Sequence, residues 1–238
     1  MQLPSRNKRG ACCVGERLPE PQDVRGTSTV SRVAVVTGAA SGIGLGVARR
    51  FAAEGDRVAL LDRHAEGAES AAAELREQGF TAVAHEVDVA DWSAVSRAFE
   101  HVRAELGPVA VLVTCAGIES FDAALEITPQ MWGQLLAVNL TGTFACIQAA
   151  LPDMIAARWG RIVTISSSSA QSGAPHMAHY AASKGGVIGL TKALARELAS
   201  AGVTVRARRE FDRAFGRGLS ASVNGGRSLS QVVRRVGW

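Results

Sequence analysis

From Val33 onward, short runs of branched apolar residues alternate with longer stretches whose apolar positions recur every three or four residues. Val33-Ala34-Val35-Val36-Thr37 is continuously apolar and bounded by glycine, the pattern of a strand buried on both faces. Gly42 to Glu54 has helical periodicity and stops at Gly55. Arg57 to Leu61 predicts a second strand, Ala65 to Gln78 an alanine-rich helix stopped by Gly79, and Thr81 to Val87 a third strand. Asp91 is placed to cap a helix that runs to Leu106, ahead of Gly107-Pro108 and a strand from Val109 to Val113. A long helix is predicted from Pro129 to Ala157, a strand from Arg161 to Ser166, and a helix from His179 to Ser200 that leads into Val203-Thr204-Val205. Strands alternating with helices of this length form right-handed βαβ units and a parallel sheet covered on both sides.

Three zones follow from the pattern: 1–30, 31–205 and 206–238. The first thirty residues have neither periodicity, carry Pro4, Pro19 and Pro21, and read as a flexible extension. Their longest apolar stretch, Ala11-Cys12-Cys13-Val14, is too short for the ~7–15-residue core of a secretory signal. After Val205, Arg206-Ala207-Arg208-Arg209 reads as an interruption of a strand just begun, and the remainder is rich in Arg, Ser and Gly. Net charge changes meaning once it is divided. The whole chain carries +4, but residues 31–205 carry −4, residues 1–30 carry +2 and residues 206–238 carry +6. A basic protein seeking nucleic acid is therefore not what the middle of the chain describes; only the Arg-rich tail leaves that alternative open. No apolar run approaches the ~20 residues needed to span a bilayer, so no membrane association is expected and a cytoplasmic location is. Four cysteines, two of them adjacent, do not make a disulfide framework.

Candidate chemistry begins after the first strand, at Thr37-Gly38-Ala39-Ala40-Ser41-Gly42-Ile43-Gly44. Glycines at 38, 42 and 44 permit a tight turn, close approach of backbone to a pyrophosphate, and close packing of the next helix on the sheet. The helix N-terminus then offers amide donors and a partial positive charge to the phosphates. A flexible loop would be the plainer reading of the glycines alone; their place between first strand and first helix favours a dinucleotide. Asp62 ends the second strand, 18 residues past Gly44, where a carboxylate can accept from both ribose hydroxyls and repel a 2′-phosphate. NAD is thus expected over NADP, although the neighbouring Arg63 could reach a phosphate. The plainer alternative for Asp62 is a solvated helix cap. Asp88, in Val87-Asp88-Val89, is placed to meet the adenine amino group, or is a simple loop carboxylate.

The chain has one tyrosine, Tyr180, in Tyr180-Ala181-Ala182-Ser183-Lys184. Positions i and i+4 share a helix face, so the Lys184 ammonium lies near the phenol. A phenol of reference pKa about 10 is protonated at neutral pH, and a nearby cation brings it toward useful acid–base work. Ser167, 13 residues upstream at a strand end, could hydrogen-bond a substrate oxygen.

With these motifs in this order, residues 31–205 resemble the short-chain dehydrogenase/reductase family, of the 3-oxoacyl-carrier-protein-reductase-like type. The resemblance rests on the Thr37–Gly44 turn, Asp88, Asn139 in Val138-Asn139-Leu140, Ser167, Tyr180 and Lys184. It implies a Rossmann-like doubly wound α/β sheet and reversible hydride transfer between a nicotinamide cofactor and a secondary alcohol or ketone, with a 3-oxoacyl thioester as one candidate. It also implies roles. Tyr180 is the acid/base, Ser167 orients the carbonyl or alcohol, Lys184 assists Tyr180 and holds the nicotinamide ribose, and Asn139 holds a water of the proton relay. Cofactor contacts fall to Thr37, Gly38, Ser41, Gly42, Ile43, Gly44, Asp62, Arg63, Asp88, Val89, Ala116, Gly117, Tyr180 and Lys184. NADP-using relatives often carry a basic residue where Ser41 stands, which again favours NAD. A homo-oligomer is expected for the family.

Two departures accompany the resemblance. The family's Asn-Asn-Ala-Gly turn reads Thr114-Cys115-Ala116-Gly117, which removes the contacts of two Asn side chains. After Val205 the family's Pro-Gly turn, substrate lid and last strand have no recognisable counterpart. The abrupt switch is read as a slip of reading frame near codon 206, and it makes a cofactor binder without useful catalysis the rival to an active enzyme. His64, His85, His101, His176 and His179 lack metal-ligand spacing, so no metal is expected. His176 and His179 read as solvated helix-start residues, with pocket lining as the alternative. Cys115 and Cys146 read as core, Trp92, Trp132 and Trp159 as packing residues, and Ser166 to Ser169 as a loop in which Ser167 alone has the spacing to matter.

Overall fold

The computed structural model describes residues 31–210. Expectations for residues 1–30 and 211–238, including the lost lid and last strand, lie outside the described residues. Within them, six strands form one parallel sheet: β1 (Val33–Thr37), β2 (Arg57–Asp62), β3 (Ala82–Glu86), β4 (Val109–Thr114), β5 (Gly160–Ser167) and β6 (Val203–Glu210). Their order is β3-β2-β1-β4-β5-β6. The connecting helices are α1 (Gly42–Ala53), α2 (Ala65–Glu77), α3 (Trp92–Leu106), α4 (Pro129–Leu136), α5 (Thr143–Ala156), the single turn α6 (Ser169–Ser172) and α7 (Ala178–Glu197). This is the expected doubly wound α/β fold. The direction of strand addition reverses between β1 and β4, and at such a point the C-terminal strand ends open a crevice.

Both sheet faces are covered, which is why the strands read as apolar runs rather than alternations. Val33, Val35, Leu112 and Ile162 pack with Phe99 of α3, Ile147 and Met154 of α5, and Leu194 of α7. Ala34, Val36, Leu60 and Val163 pack with Val47 and Phe51 of α1 and Leu75 of α2. Asp91 caps α3 as expected, accepting from the amides of Ser93 and Ala94 at 2.8 and 3.1 Å.

Three expectations are corrected. β6 does not break at Arg206 but continues to Glu210, because β5 offers it a partner along its whole length, from Val203 against Gly160 to Glu210 against Ser167. Val203 and Val205 are buried while Thr204 and Arg206 are exposed, so Arg206 takes an outward position in a continuing strand. The single helix of 129–157 is instead α4, a wider i→i+5 turn at Ala137–Gly142, and α5. Such π turns occur as single wide turns within α-helices and gather at functional sites. The stretch Pro129–Ala156 is long and apolar enough to cross a bilayer, yet Cys146, Ile147, Ala150 and Met154 are buried against the sheet, as in a core helix. The third correction concerns Trp132, which is 41% exposed; Trp92, 44% exposed, still packs edge-on against Phe144 with ring centres 5.8 Å apart, and Trp159 lies under the Arg161 guanidinium at 4.4 Å from its ring centre.

Candidate active site

At the switch point a cleft of about 410 Å³ is lined by Gly38, Ser41 to Gly44, Asp62, Arg63, Asp88, Val89, Ala116 and Gly117, among others. The glycine turn is there for reasons of space. Gly38 and Gly42 have φ of 65° and 54°, in the left-handed region that side chains disfavour. A Cβ at Gly44 would sit 2.0 Å from the Gly38 carbonyl oxygen, and one at Gly38 would sit 2.8 Å from the Ala116 nitrogen. Ser41 occupies the N-cap of α1 in extended conformation without a side-chain capping bond, and no acidic residue lies in the first turn. The first-turn amides are therefore left for another acceptor, and the helix dipole favours an anion there. This cradle fits the pyrophosphate of a dinucleotide.

Asp62 closes one end. Its Oδ2 accepts from the Ala40 amide and its Oδ1 from the His64 amide, both at 3.0 Å. The carboxylate thus ties the glycine turn to the end of β2, and each oxygen keeps a lone pair for a ribose hydroxyl. Asp88 is exposed, lines the cleft, and turns Oδ1 to the Ala90 amide. The buried Thr37 hydroxyl accepts from the Ala116 amide at 3.1 Å, holding β1 to the turn after β4. The Thr114 hydroxyl at the start of that turn is buried without a hydrogen-bond partner among the described residues.

The opposite wall is built from the ends of β4 and β5 and the start of α7. Tyr180 is buried in a small cluster with Leu135, Met177, Ile118 and Ala174. Lys184, also buried, lies one turn on, with Nζ 5.7 Å from the centre of the Tyr180 ring and donating to the Ile165 carbonyl at 3.1 Å. A Cβ on Gly117 would come within 3.3 Å of that Nζ and 3.2 Å of Asn139 Oδ1, so a glycine keeps this corner open. Asn139 sits in the π turn. Its Oδ1 accepts from the Ile118 amide at 2.8 Å, and its Nδ2 donates to the Ile118 carbonyl and the Ser183 hydroxyl at 2.9 and 3.0 Å. Ser167 ends β5, and its Oγ is 2.7 Å from Ser169 Oγ.

Several residues differ from the sequence reading. His179 is not a solvated helix-start residue: it is wholly buried, with Nε2 2.7 Å from Ser120 Oγ and 3.2 Å from Asp122 Oδ2. Ser120 and Asp122, from a loop the sequence left blank, supply the Nε2 partners that let a polar ring beside Tyr180 be buried. His176 is exposed, as expected, with φ of 62°, and its carbonyl accepts from the Asp122 amide at 2.8 Å. Cys115 is half-buried, packing against the core and also lining the cleft, whereas Cys146 is fully buried and its thiol is pushed up to about 12 by desolvation. Ser166 to Ser169 is not a loop throughout: Ser166 and Ser167 end β5 and Ser169 opens α6. No group of side chains among the described residues could hold a metal ion.

Residues 32–208 match the family model for short chain dehydrogenase. The chain belongs to the short-chain dehydrogenase family. It is 40% identical over 179 residues to the 3-oxoacyl-[acyl-carrier-protein] reductase FabG of Staphylococcus aureus (strain Mu50 / ATCC 700699), covering 75% of this chain and 73% of that one. Two solved structures are similar, each with a TM-score of 0.72. One is NAD+-bound xylitol dehydrogenase, 36% identical over 74% of this chain and 68% of that one. The other is a variant of the actinorhodin polyketide ketoreductase with NADPH, 42% identical over 74% of this chain and 69% of that one. This short-chain dehydrogenase is thus an oxidoreductase that uses a nicotinamide cofactor and acts on the alcohol or carbonyl group of a small molecule.

Proposed function

We propose that the chain interconverts a secondary alcohol and a ketone, with NAD preferred over NADP and Tyr180 as the acid/base. The nicotinamide, when bound, supplies or accepts the hydride. Every other task falls to the protein. The α1 N-terminus and the glycine turn hold the pyrophosphate, Asp62 accepts from the adenosine ribose, and Asp88 meets the adenine. Ser167 donates to the substrate oxygen. Tyr180 gives its proton to that oxygen in reduction and takes it back in oxidation. The Lys184 ammonium, beside the ring, stabilises negative charge on the phenol oxygen and reaches the nicotinamide ribose. Asn139 fixes the Ile118 wall from the π turn and orients Ser183 against the Tyr180 turn, where the Ser183 hydroxyl donates to the Tyr180 carbonyl at 2.8 Å.

The observation that carries the cofactor preference is the Asp62 carboxylate, held at the cleft edge by two backbone amides beside an uncharged Ser41. A 2′-phosphate there would meet a fixed negative charge, which no rotation of the side chain removes without losing both amide bonds. Initial rates of the 238-residue chain with NAD and NADP, against a panel of secondary alcohols and ketones, test the reading. The expected result is turnover with NAD at least tenfold more efficient, abolished in Tyr180→Phe with cofactor binding intact. Preference for NADP would overturn the cofactor assignment; nucleotide binding without turnover of any substrate would leave a binder rather than an enzyme.

A further inference from the structure

We infer that Ser169 is a positioning residue that sets which way the Ser167 hydroxyl donates; the inference rests on the assignment of Ser167 to the substrate oxygen. Ser167 is the last residue of β5, and after Ser168 the chain turns immediately into α6. That turn brings the Ser169 hydroxyl to 2.7 Å from Ser167 Oγ and the Ser169 amide to 3.4 Å from the same atom. Among the described residues, both hydrogen-bond neighbours of the Ser167 hydroxyl therefore come from Ser169.

A serine hydroxyl has one proton to give and two lone pairs to receive. The Ser169 amide can only donate, so it takes one Ser167 lone pair, weakly at that distance. Two arrangements remain for the hydroxyl pair. If Ser167 donated to Ser169, it would face the substrate with lone pairs alone, and a ketone oxygen, itself only an acceptor, would find no partner. If Ser169 donates to Ser167, both lone pairs of Ser167 are engaged and its proton is left pointing outward. A donor is what a carbonyl oxygen needs, most of all as hydride addition builds negative charge on it. A hydroxyl that accepts hydrogen bonds is also polarised into a stronger donor, so the chain Ser169→Ser167→substrate oxygen strengthens as that charge grows. Ser169 never touches the substrate in this arrangement. It selects one of two orientations of the group that does, and its effect belongs to kcat rather than to binding.

Four variants test this, read by steady-state kinetics and cofactor titration. Ser169→Ala should lower kcat about tenfold with KM and cofactor affinity within about threefold of the parent, because Ser169 is half-exposed and its loss leaves the fold intact. Ser169→Thr, which keeps the hydroxyl, should retain activity within about threefold. Ser167→Ala should lose more than Ser169→Ala, and the double variant Ser167→Ala/Ser169→Ala should be no slower than Ser167→Ala alone, since Ser169 has nothing left to orient. Unchanged kcat in Ser169→Ala beside a crippled Ser167→Ala overturns the inference, as does a double variant in which the two losses multiply. Full activity in Ser167→Ala would instead remove the assignment of Ser167 beneath it, and only that outcome does so.

Discussion

The same substitution, glycine to alanine, should act in opposite directions at Gly44 and Gly189. At Gly189, in the exposed part of α7, an added Cβ meets nothing within 4 Å. Alanine there removes unfolded-state freedom and should stabilise by about 1 kcal/mol. Gly44 is also helical, so the same ~1 kcal/mol is available, but its Cβ would lie 2.0 Å from the Gly38 carbonyl oxygen and 2.6 Å from the Gly38 carbonyl carbon. To reach an ordinary 3.4 Å, α1 and the glycine turn must separate by about 1.4 Å. Neither atom belongs to a side chain that could swing aside, and both elements are fixed to the sheet, the turn partly through Asp62 on Ala40. Overpacking of backbone against backbone costs roughly 1–3 kcal/mol, so Gly44→Ala should be destabilised by up to ~2 kcal/mol after the helix gain. Cofactor affinity should fall further still, at least tenfold, because displaced amides no longer converge on one phosphate. Urea unfolding gives the first quantity and fluorescence titration with NADH the second. A Gly44→Ala protein as stable as Gly189→Ala, with parental NADH affinity, would refute the reasoning that space alone dictates this glycine.

Three further outcomes follow from buried groups. Thr114→Val keeps shape while removing a buried hydroxyl that has no partner among the described residues, so the midpoint of urea unfolding should rise by the equivalent of about 1 kcal/mol at constant m; a fall would mean the hydroxyl is satisfied after all. Burial holds His85 below its ordinary 6.5, with His101 adding to the effect and Glu105 opposing it, so the unfolded chain binds the proton more readily. The stability His85 contributes is thus full above pH 6.5 and is lost as pH falls through 6.5 toward the lower folded value; His85→Gln should flatten that decline between about pH 7.5 and 5.5, and an unaltered slope would count against it. Iodoacetamide at about pH 8, mapped by peptide mass, should label half-buried Cys115 more slowly when NAD is present and leave Cys146 untouched in the native protein, since its thiol ionises only near 12; equal labelling of the two would contradict the burial argument.

What was legible in the sequence was whatever depends on local pattern. The strand runs from Val33, Arg57 and Val109 were readable because burial on both faces demands uninterrupted apolar residues, and the glycine turn because only glycine tolerates its dihedrals and clearances. What depends on a partner distant in sequence was not. Arg206 to Glu210 looked unlike a strand until β5 was alongside to pair with them, and His179 looked solvated until Ser120 and Asp122, 59 and 57 residues away, came to meet it. The π turn changes hydrogen-bond spacing without changing which residues are apolar, so Pro129 to Ala157 read as one helix. The Ser167–Ser169 pair was hidden for a different reason: two residues apart in a strand would put these hydroxyls on the same face but apart, and only the turn into α6 folds them together.

The walls of the cleft share one device, a polar side chain from one element fastened to the backbone of the next. Asp62 of β2 holds Ala40 of the glycine turn, Thr37 of β1 holds Ala116 after β4, and Asn139 of the π turn holds Ile118 by both its amide and its carbonyl. His179 of α7 extends the series to the hydroxyl of Ser120 and the carboxylate of Asp122. Each joins a loop, which would otherwise be free to open, to an element rooted in the sheet or packed on it. Positioning to within a fraction of an ångström is what hydride and proton transfer require, and these ties are the means by which the fold holds its loops in place. Loss of Thr37 or Asn139 should therefore weaken catalysis without touching substrate, through the loop each one holds. The same logic applies to the turn after β4: Ala116 is held from β1 through Thr37, so the turn keeps a tie to the sheet even though the Thr114 hydroxyl has no partner among the described residues.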